Sequence, residues 1–368
     1  MSKKSVHSNK HIVFIFGIFF LLIFFPLRAS AASLQEKIIE VEKMAGELQS
    51  ISINTGNEKE IKHFQRLVDD TLSLLIDISG GARQTGNGRY AAKAAEITNQ
   101  VSHALMKLAQ AAMESRSDDL FNSLTANINQ ALQILSNAEK TSRYLDDSEL
   151  ALTTVNVVGG IMTIIRKIAL FAGHTGNGDL VFAALAANNK AYDILRQSAA
   201  QAKEAGNLTL AGASAVLVNK NDATMKDAYL AVNGPDNQRL TNELIEQFDQ
   251  NLQILLLGAD LSKNMNNIEL GRTILNGIEV MKQQLKDIKN RSQTMIATTQ
   301  NAATVTFWKD ILGRIEELEN LNNEIIGIAR LSDTKTEEKS KSKTPFTTQD
   351  GFKDKERFLD DTRVASPI

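Results

Sequence analysis

Residues 117–150 read SDDLFNSLTANINQALQILSNAEKTSRYLDDSEL, and this stretch holds one complete unit of a repeating pattern. It begins with Ser117, a residue type whose side chain accepts a hydrogen bond from the free N–H groups of a first helical turn. From Leu120 onward, apolar residues recur every three or four positions, which is the spacing of one face of an α-helix. A second cap, Asp147, and a second apolar anchor, Leu150, close the stretch. It therefore predicts one long amphipathic helix between two short turns.

The same register recurs every 30 residues along the chain. An apolar or aromatic anchor stands at each step, and a residue suited to helix capping stands three positions before it. The predicted caps are Asn87, Ser117, Asp147, Asn177, Asn207, Asn237 and Asn267. A fixed period of this size is typical of helical repeat architectures. Short turns force neighbouring helices to run antiparallel, so the sequence predicts an all-α array of antiparallel helices, each of about 25 residues and ~37 Å long.

Two architectures fit this pattern. A shift of 120 residues superposes 117–170 on 237–290, and such an internal duplication over four helices favours a tandem pair of four-helix bundles. The uniform spacing of the caps, with no linker between two bundles, favours an α-solenoid of stacked helical hairpins. We prefer the solenoid for the helical-repeat domain, which we expect to span residues 32–331.

Residues 1–31 have the three-part pattern of a secretory signal peptide. Basic residues precede an unbroken apolar run over 12–25, and Ala29-Ser30-Ala31 offers a cleavage site of small residues. Cleavage would leave 37 basic and 43 acidic residues, a net charge of −6 against −2 for the whole chain. We expect an extracytoplasmic protein, periplasmic or secreted. The alternative is an uncleaved N-terminal membrane anchor, and membrane contact is expected only in that case.

The periodicity stops at about Ser332, and residues 332–368 are rich in Lys, Thr, Ser, Asp and Glu. Such a segment has too little apolar surface to fold alone, so we expect a disordered polar tail. Its Phe346, Phe352, Phe358 and Leu359 leave open the alternative of a short docking segment.

The chain has few of the residues that carry catalysis or bind metals. It has no Cys, which excludes disulfides, thiolate metal sites and a cysteine nucleophile. His63, His103 and His174 stand in separate repeats, and no pair has the spacing of a helical metal site. The negative net charge argues against a nucleic-acid partner. We therefore expect no enzyme activity, no catalytic residues, no cofactor and no metal.

Two loops share the sequence Thr-Gly-Asn-Gly, at Thr85–Gly88 and Thr175–Gly178. Neither is followed by the Gly-Lys-Ser/Thr that grips a nucleotide phosphate. We interpret both as the end of one helix followed by the cap of the next. The alternative is a repeated ligand loop at one end of the helices, formed by Thr85, Asn87, Thr175 and Asn177.

Residues 155–173 are the most apolar stretch after the signal peptide. Arg166 and Lys167 within it, and its place in the 30-residue register, favour a buried central helix over a membrane-inserting one. The pair Gly159-Gly160 would then allow a neighbouring helix to approach closely.

These features together predict an exported, non-enzymatic helical-repeat scaffold of the cell envelope that binds one or more protein partners. A membrane-anchored helical-bundle sensor or small-ligand-binding protein is the alternative. An α-helical pore former is a third.

Overall fold

The computed structural model describes residues 33–53, 57–232 and 237–337, with the backbone alone at 221–222 and 331–337. These ranges form ten α-helices and contain no strand. The helices are α1 (33–50), α2 (Glu58–Thr85), α3 (Gly88–Ser115), α4 (Asp118–Leu145), α5 (Ser148–Thr175), α6 (Gly178–Ala205), α7 (Leu208–Val232), α8 (Gln238–Met265), α9 (Ile268–Thr298) and α10 (Ala302–Glu337). The prediction of an all-α helical repeat array is confirmed.

The 30-residue period is the sum of a helix and a very short turn. Helices α2 to α6 and α8 each have 28 residues, longer than predicted, and two residues complete the repeat. The first of the two has a left-handed backbone, which is provided by Gly86, Gly176 and Gly206 in three turns. Arg116, Asp146 and Asn266 adopt the same conformation in three others, with φ between 49° and 53°. The period therefore does not require glycine in every turn.

The second residue of each two-residue turn is the N-cap of the next helix. All seven predicted caps accept a hydrogen bond from the backbone N–H three residues later, at distances from 2.8 Å for Asn267 to 3.4 Å for Asn237. Asn57 and Asn301 cap α2 and α10 in the same way. Asn301 falls outside the predicted register because α9 has 31 residues rather than 28 and three residues, not two, separate it from α10.

The helices form two layers because each contacts both its next and its next-but-one neighbour. The even layer consists of α2, α4, α6, α8 and α10, and the odd layer contains α3, α5, α7 and α9. Helix α1 joins α3 through a Glu42–Lys93 ion pair of 2.8 Å. In the 120-residue frame a second bundle would begin with α8, yet α6 contacts α8 and α7 contacts α9 across that point. The solenoid prediction is confirmed, and the tandem-bundle alternative is wrong.

Helix α5 lies at the centre of this array and packs against α3, α4, α6 and α7. Within the part of the chain that the structure describes, it alone has the length and hydropathy to cross a membrane, and 56% of its most apolar window is buried. Gly159 permits close packing, since a β-carbon there would lie 2.7 Å from Leu217 Cδ2. At Gly160 the nearest atom would be Ser102 Oγ at 3.7 Å, an ordinary contact. The expectation of close approach is correct for Gly159 and wrong for Gly160.

The last helix continues to Glu337, beyond Ser332, where the predicted tail begins. The rest of that tail and the predicted signal peptide over 1–31 lie outside the described residues.

Candidate binding groove on the even layer

The two Thr-Gly-Asn-Gly loops lie at opposite ends of the helices. Three antiparallel helices, α3 to α5, separate them, and an odd number of reversals brings the chain to the other end. A β-carbon on Gly86 would touch the ring of Tyr144, near the C-terminus of α4. Gly178 instead faces Asn237, at the N-terminus of α8. The two loops therefore do not meet at one end of the helices, as the ligand-loop alternative expected.

The Thr and Asn side chains of these loops form hydrogen bonds to the backbone of the helices that flank each loop. Thr85 Oγ1 donates to Gly81 O at 2.8 Å, and Thr175 Oγ1 donates to Phe171 O at 3.0 Å. Asn87 and Asn177 accept from the first turns of α3 and α6. Their geometry is that of helix termini.

The three histidines remain apart in the fold, on α2, α3 and α5. The ring of His103 contacts its own helix, with Nδ1 3.1 Å from Asn99 O. Among the described residues, no group of three His, Asp or Glu side chains is arranged to hold a metal ion.

A groove of about 390 Å³ crosses three helices of the even layer. Helix α4 contributes Asn129, Gln133 and Ser136, α6 contributes Asn189 and Asp193, and α8 contributes Gln250. The buried side chains of Leu132 and Ile194 also line it. The groove is thus bordered mainly by amide groups over an apolar base.

The repeat explains why these residues meet. Residues two repeats apart occupy the same height on neighbouring helices of one layer, so Asn129 stands beside Asn189 and Gln133 beside Asp193. Lys190 and Gln250 have the same relationship. Lys190 Nζ donates to Asn129 Oδ1 at 2.7 Å and thereby joins α6 to α4.

The amide donors of the groove are all engaged within the protein. Asn189 Nδ2 donates to Glu243 O at 3.0 Å and to Glu243 Oε2 at 2.8 Å. Since both partners are acceptors, the orientation of this amide is fixed. The Nε2 atoms of Gln133 and Gln250 donate to Asn137 and Glu246, at 3.5 and 3.4 Å.

Two acceptor atoms in the groove have no hydrogen-bond partner among the described residues. They are Asn189 Oδ1 and Gln250 Oε1, and both atoms are buried. The Asn189 side chain as a whole is only 8% exposed. A buried polar atom without a partner is uncommon and costly. The groove therefore offers acceptors to a ligand that brings N–H or O–H groups.

A buried carboxyl group, Glu139, lies on α4 one turn beyond Ser136. Burial, with a smaller effect of the Asp193 charge, raises the pKa of Glu139 to about 7 against the opposing effects of Arg143 and Lys140. Arg143 Nε lies 2.7 Å from Glu139 Oε1, and its Nη2 donates to Gln197 Oε1 at 2.8 Å. The carboxyl group therefore changes charge near neutral pH, between α4 and α6.

A larger groove of about 630 Å³ lies between α1 and α3 and includes Ile39, Tyr90 and Lys93. Lys93 pairs there with both Glu42 and Glu96, at 2.8 and 3.2 Å. Lys93, Glu42 and Glu96 are thus paired with one another, whereas the even-layer groove retains buried acceptors without partners.

None of the groove residues was singled out by the sequence analysis. Asn and Gln are frequent throughout the chain, so single amides carry no signal. The sequence signal that could have indicated the groove is the recurrence of amides 60 residues apart, as at Asn129 and Asn189. Its meaning depends on knowing that residues two repeats apart lie side by side in one layer.

No protein-family model matches this chain, and no curated protein sequence matches it. Among solved structures, the chain is similar to the de novo designed helical repeat protein DHR64, with 18% identity over 61% of this chain and 98% of that one and a TM-score of 0.45. It is similar to the DHF58 filament, with 16% identity over 62% and 97% of the two chains and a TM-score of 0.43. A circular tandem repeat protein with novel repeat topology has 14% identity over 85% and 76%, with a TM-score of 0.43. Similarity at this level carries no conclusion about binding or activity.

Proposed function

We propose that the protein is an exported, non-enzymatic scaffold that binds protein partners along its repeat surface. The helical-repeat fold itself supports a scaffold or interaction-type protein. The observation that carries the proposal is the even-layer groove, which crosses three successive helices and presents buried acceptors without partners. A surface built from several repeats offers an extended face, which suits recognition of another chain.

The export part of the proposal rests on the sequence of residues 1–31. A basic start, a short apolar run and a small-residue cleavage site match a signal peptide. The non-enzymatic part is supported by the groove's composition of amides, one hydroxyl, two apolar side chains, Asp193 and Lys190, which donates to Asn129. Asp193 is itself engaged by Arg196 at 2.7 Å and Gln197 at 2.6 Å.

One experiment tests both parts. The natively expressed protein is crosslinked in its envelope fraction and purified, and mass spectrometry reports its N-terminus and the captured proteins. An N-terminus near Ala32 with a reproducible protein partner is the expected result. An intact segment from Lys3 to Phe25 without a protein partner would contradict the proposal.

A second candidate function is a membrane-anchored sensor that binds a small polar ligand. The groove favours it, since about 390 Å³ lies within the range of small-molecule sites and the walls are polar. Thermal-shift screening of polar metabolites against the wild-type protein and Gln250→Leu discriminates the two. Stabilisation of the wild type alone would favour the sensor. The pore-forming alternative would require α5 to leave the core of the array.

A further inference from the structure

The occupant of the even-layer groove must supply hydrogen-bond donors. Asn189 Oδ1 and Gln250 Oε1 are acceptors without partners among the described residues, and the amide N–H groups beside them are engaged. Lys190, the nearby cation, is held by Asn129. A ligand rich in N–H groups, such as an extended polypeptide with basic side chains, complements this surface.

An extended polypeptide also matches the spacing of the helices. Packed helices lie about 8–10 Å apart. An extended chain advances about 3.3 Å per residue, so about three residues bridge neighbouring helices of a layer. Alternate side chains of such a chain point the same way, so basic residues at every second position would all face the groove.

The chain itself contains two segments with basic residues at every second position after α10. The near segment carries Lys339, Lys341 and Lys343, and the far segment carries Lys353, Lys355 and Arg357. In the far segment, Asp354 and Glu356 alternate with the cations, and Phe352 and Phe358 flank them.

The geometry of α10 decides which segment can reach the groove. Arg314 of α10 lies 3.9 Å from Glu246 of α8, one turn before Gln250, so the groove is level with Arg314. About 35 Å of helix separates Arg314 from Glu337. The chain must return that distance and cross about 20 Å sideways, over α8 to α6. Lys343 lies at most about 20 Å from Glu337, whereas Phe352 can lie about 50 Å away.

We propose that the far segment, Lys353 to Arg357, lies in the even-layer groove of its own chain and donates hydrogen bonds to Asn189 and Gln250. The segment occupies the groove when no partner is bound, and a partner that binds there displaces it. This contact goes beyond the proposed function, because it requires no second protein.

Spin-label distance measurements on the full chain test this directly. The chain has no Cys, so Ala126→Cys and Gly351→Cys give a unique pair of labels. Ala126 is exposed on α4, one turn before Asn129. We expect a narrow short-distance component, which is lost when Lys353, Lys355 and Arg357 are all changed to Ser. Changing Lys339, Lys341 and Lys343 of the near segment to Ser removes the same charge and should not change the short-distance component.

The groove side of the contact has a matched pair of variants. Gln250→Leu removes an acceptor and should abolish the short-distance component. Gln253→Leu changes a half-buried residue of α8 whose amide donates to Asp249 at 2.7 Å, and it should retain the component. Circular dichroism establishes that both variants fold.

Two results would overturn the proposal. One is a broad distance distribution that neither segment's substitutions change. The other is equal loss with either triple variant, which would indicate general charge attraction. If the distances stay broad while Gln250→Leu lowers capture of a partner protein, the tail contact is refuted and the scaffold function stands.

Discussion

Asn188 of α6 donates a hydrogen bond to Gln247 of α8 with an Nδ2–Oε1 distance of 2.9 Å, and both side chains are completely buried. The bond joins two helices of the even layer that are two repeats apart. Ser79 and Asn137 join α2 to α4 at 3.1 Å in the same way. Buried polar bonds thus link successive even helices and fix their relative height.

This pair is expected to behave as a coupled unit. Gln247→Leu removes the acceptor of this buried hydrogen bond and should lower the free energy of unfolding by about 1–3 kcal/mol. Asn188→Leu combined with Gln247→Leu should cost less than the sum of the single changes, because apolar groups then face each other. Urea denaturation of the wild type, both single variants and the double variant measures this coupling, and Asn242→Leu at an exposed position is the control. Additive losses would show that the bond does not contribute.

The two-residue turns predict opposite effects of adding and removing glycine. Arg116 has φ of 51°, so Arg116→Gly should raise the free energy of unfolding, by up to about 1 kcal/mol. Gly176 has φ of 70°, so Gly176→Ala should lower it by about 1 kcal/mol. Asn177→Ala should lower the free energy of unfolding by about 1 kcal/mol, because Leu180 N loses its side-chain acceptor. Asn177→Ser should lose much less stability, since serine can also cap a helix. Thermal melts compare the four variants. A destabilised Arg116→Gly would contradict this interpretation of the turns.

Gly277 should be intolerant of any side chain. A β-carbon there would clash with Asn219 Oδ1, while Asn219 Nδ2 donates to Thr273 O at 3.0 Å. We expect Gly277→Ala to destabilise by about 1–3 kcal/mol through overpacking, and Asn219→Ala to rescue it partly. Gly313→Ala is the matched control, because no atom lies within 4 Å of its added β-carbon. It should stabilise by about 0.5–1 kcal/mol. Equal effects at both glycines would refute the packing argument.

Glu139 should make stability fall as pH rises. Its pKa is about 7 in the folded protein against an ordinary 4.5, so the folded state holds a proton that the unfolded state has lost between these values. The free energy of unfolding therefore decreases across pH 4.5 to 7, by roughly 3 kcal/mol from this group, and the loss is complete above pH 7. Glu139→Gln should flatten this dependence and be the more stable form at pH 8. Exposed Glu204→Gln should keep the wild-type slope. An unchanged slope in Glu139→Gln would contradict the assignment.

The repeat itself was predictable because its signals are local. Each cap, such as Ser117 or Asp147, acts within its own first turn, and each apolar face follows from helical spacing. The two layers were harder to predict from the sequence. A 30-residue period gives the length of each helix and turn, but it does not specify which face of a helix contacts its next-but-one neighbours. The 120-residue duplication between 117–170 and 237–290 reflects an even number of helices, which returns the chain to the same layer and direction.

The groove could not be predicted from residue type. Asn189 differs from other asparagines in its surroundings, since Glu243 fixes its amide and leaves Oδ1 buried. The pKa of Glu139 likewise depends on burial between helices. The placement of Thr85 and Thr175 at opposite ends depends only on counting helices and was within reach of the sequence.

Site-specific photocrosslinking in cells that express the protein natively tests the central claim, that protein partners bind at the even-layer groove. A photoreactive residue replaces Gln133 in the groove, and a second version carries it at Val280, which is 38% exposed on α9 of the odd layer. We predict that one protein is crosslinked reproducibly from position 133 and that this product is absent from position 280. The same product from both positions, or none from position 133, would contradict the account.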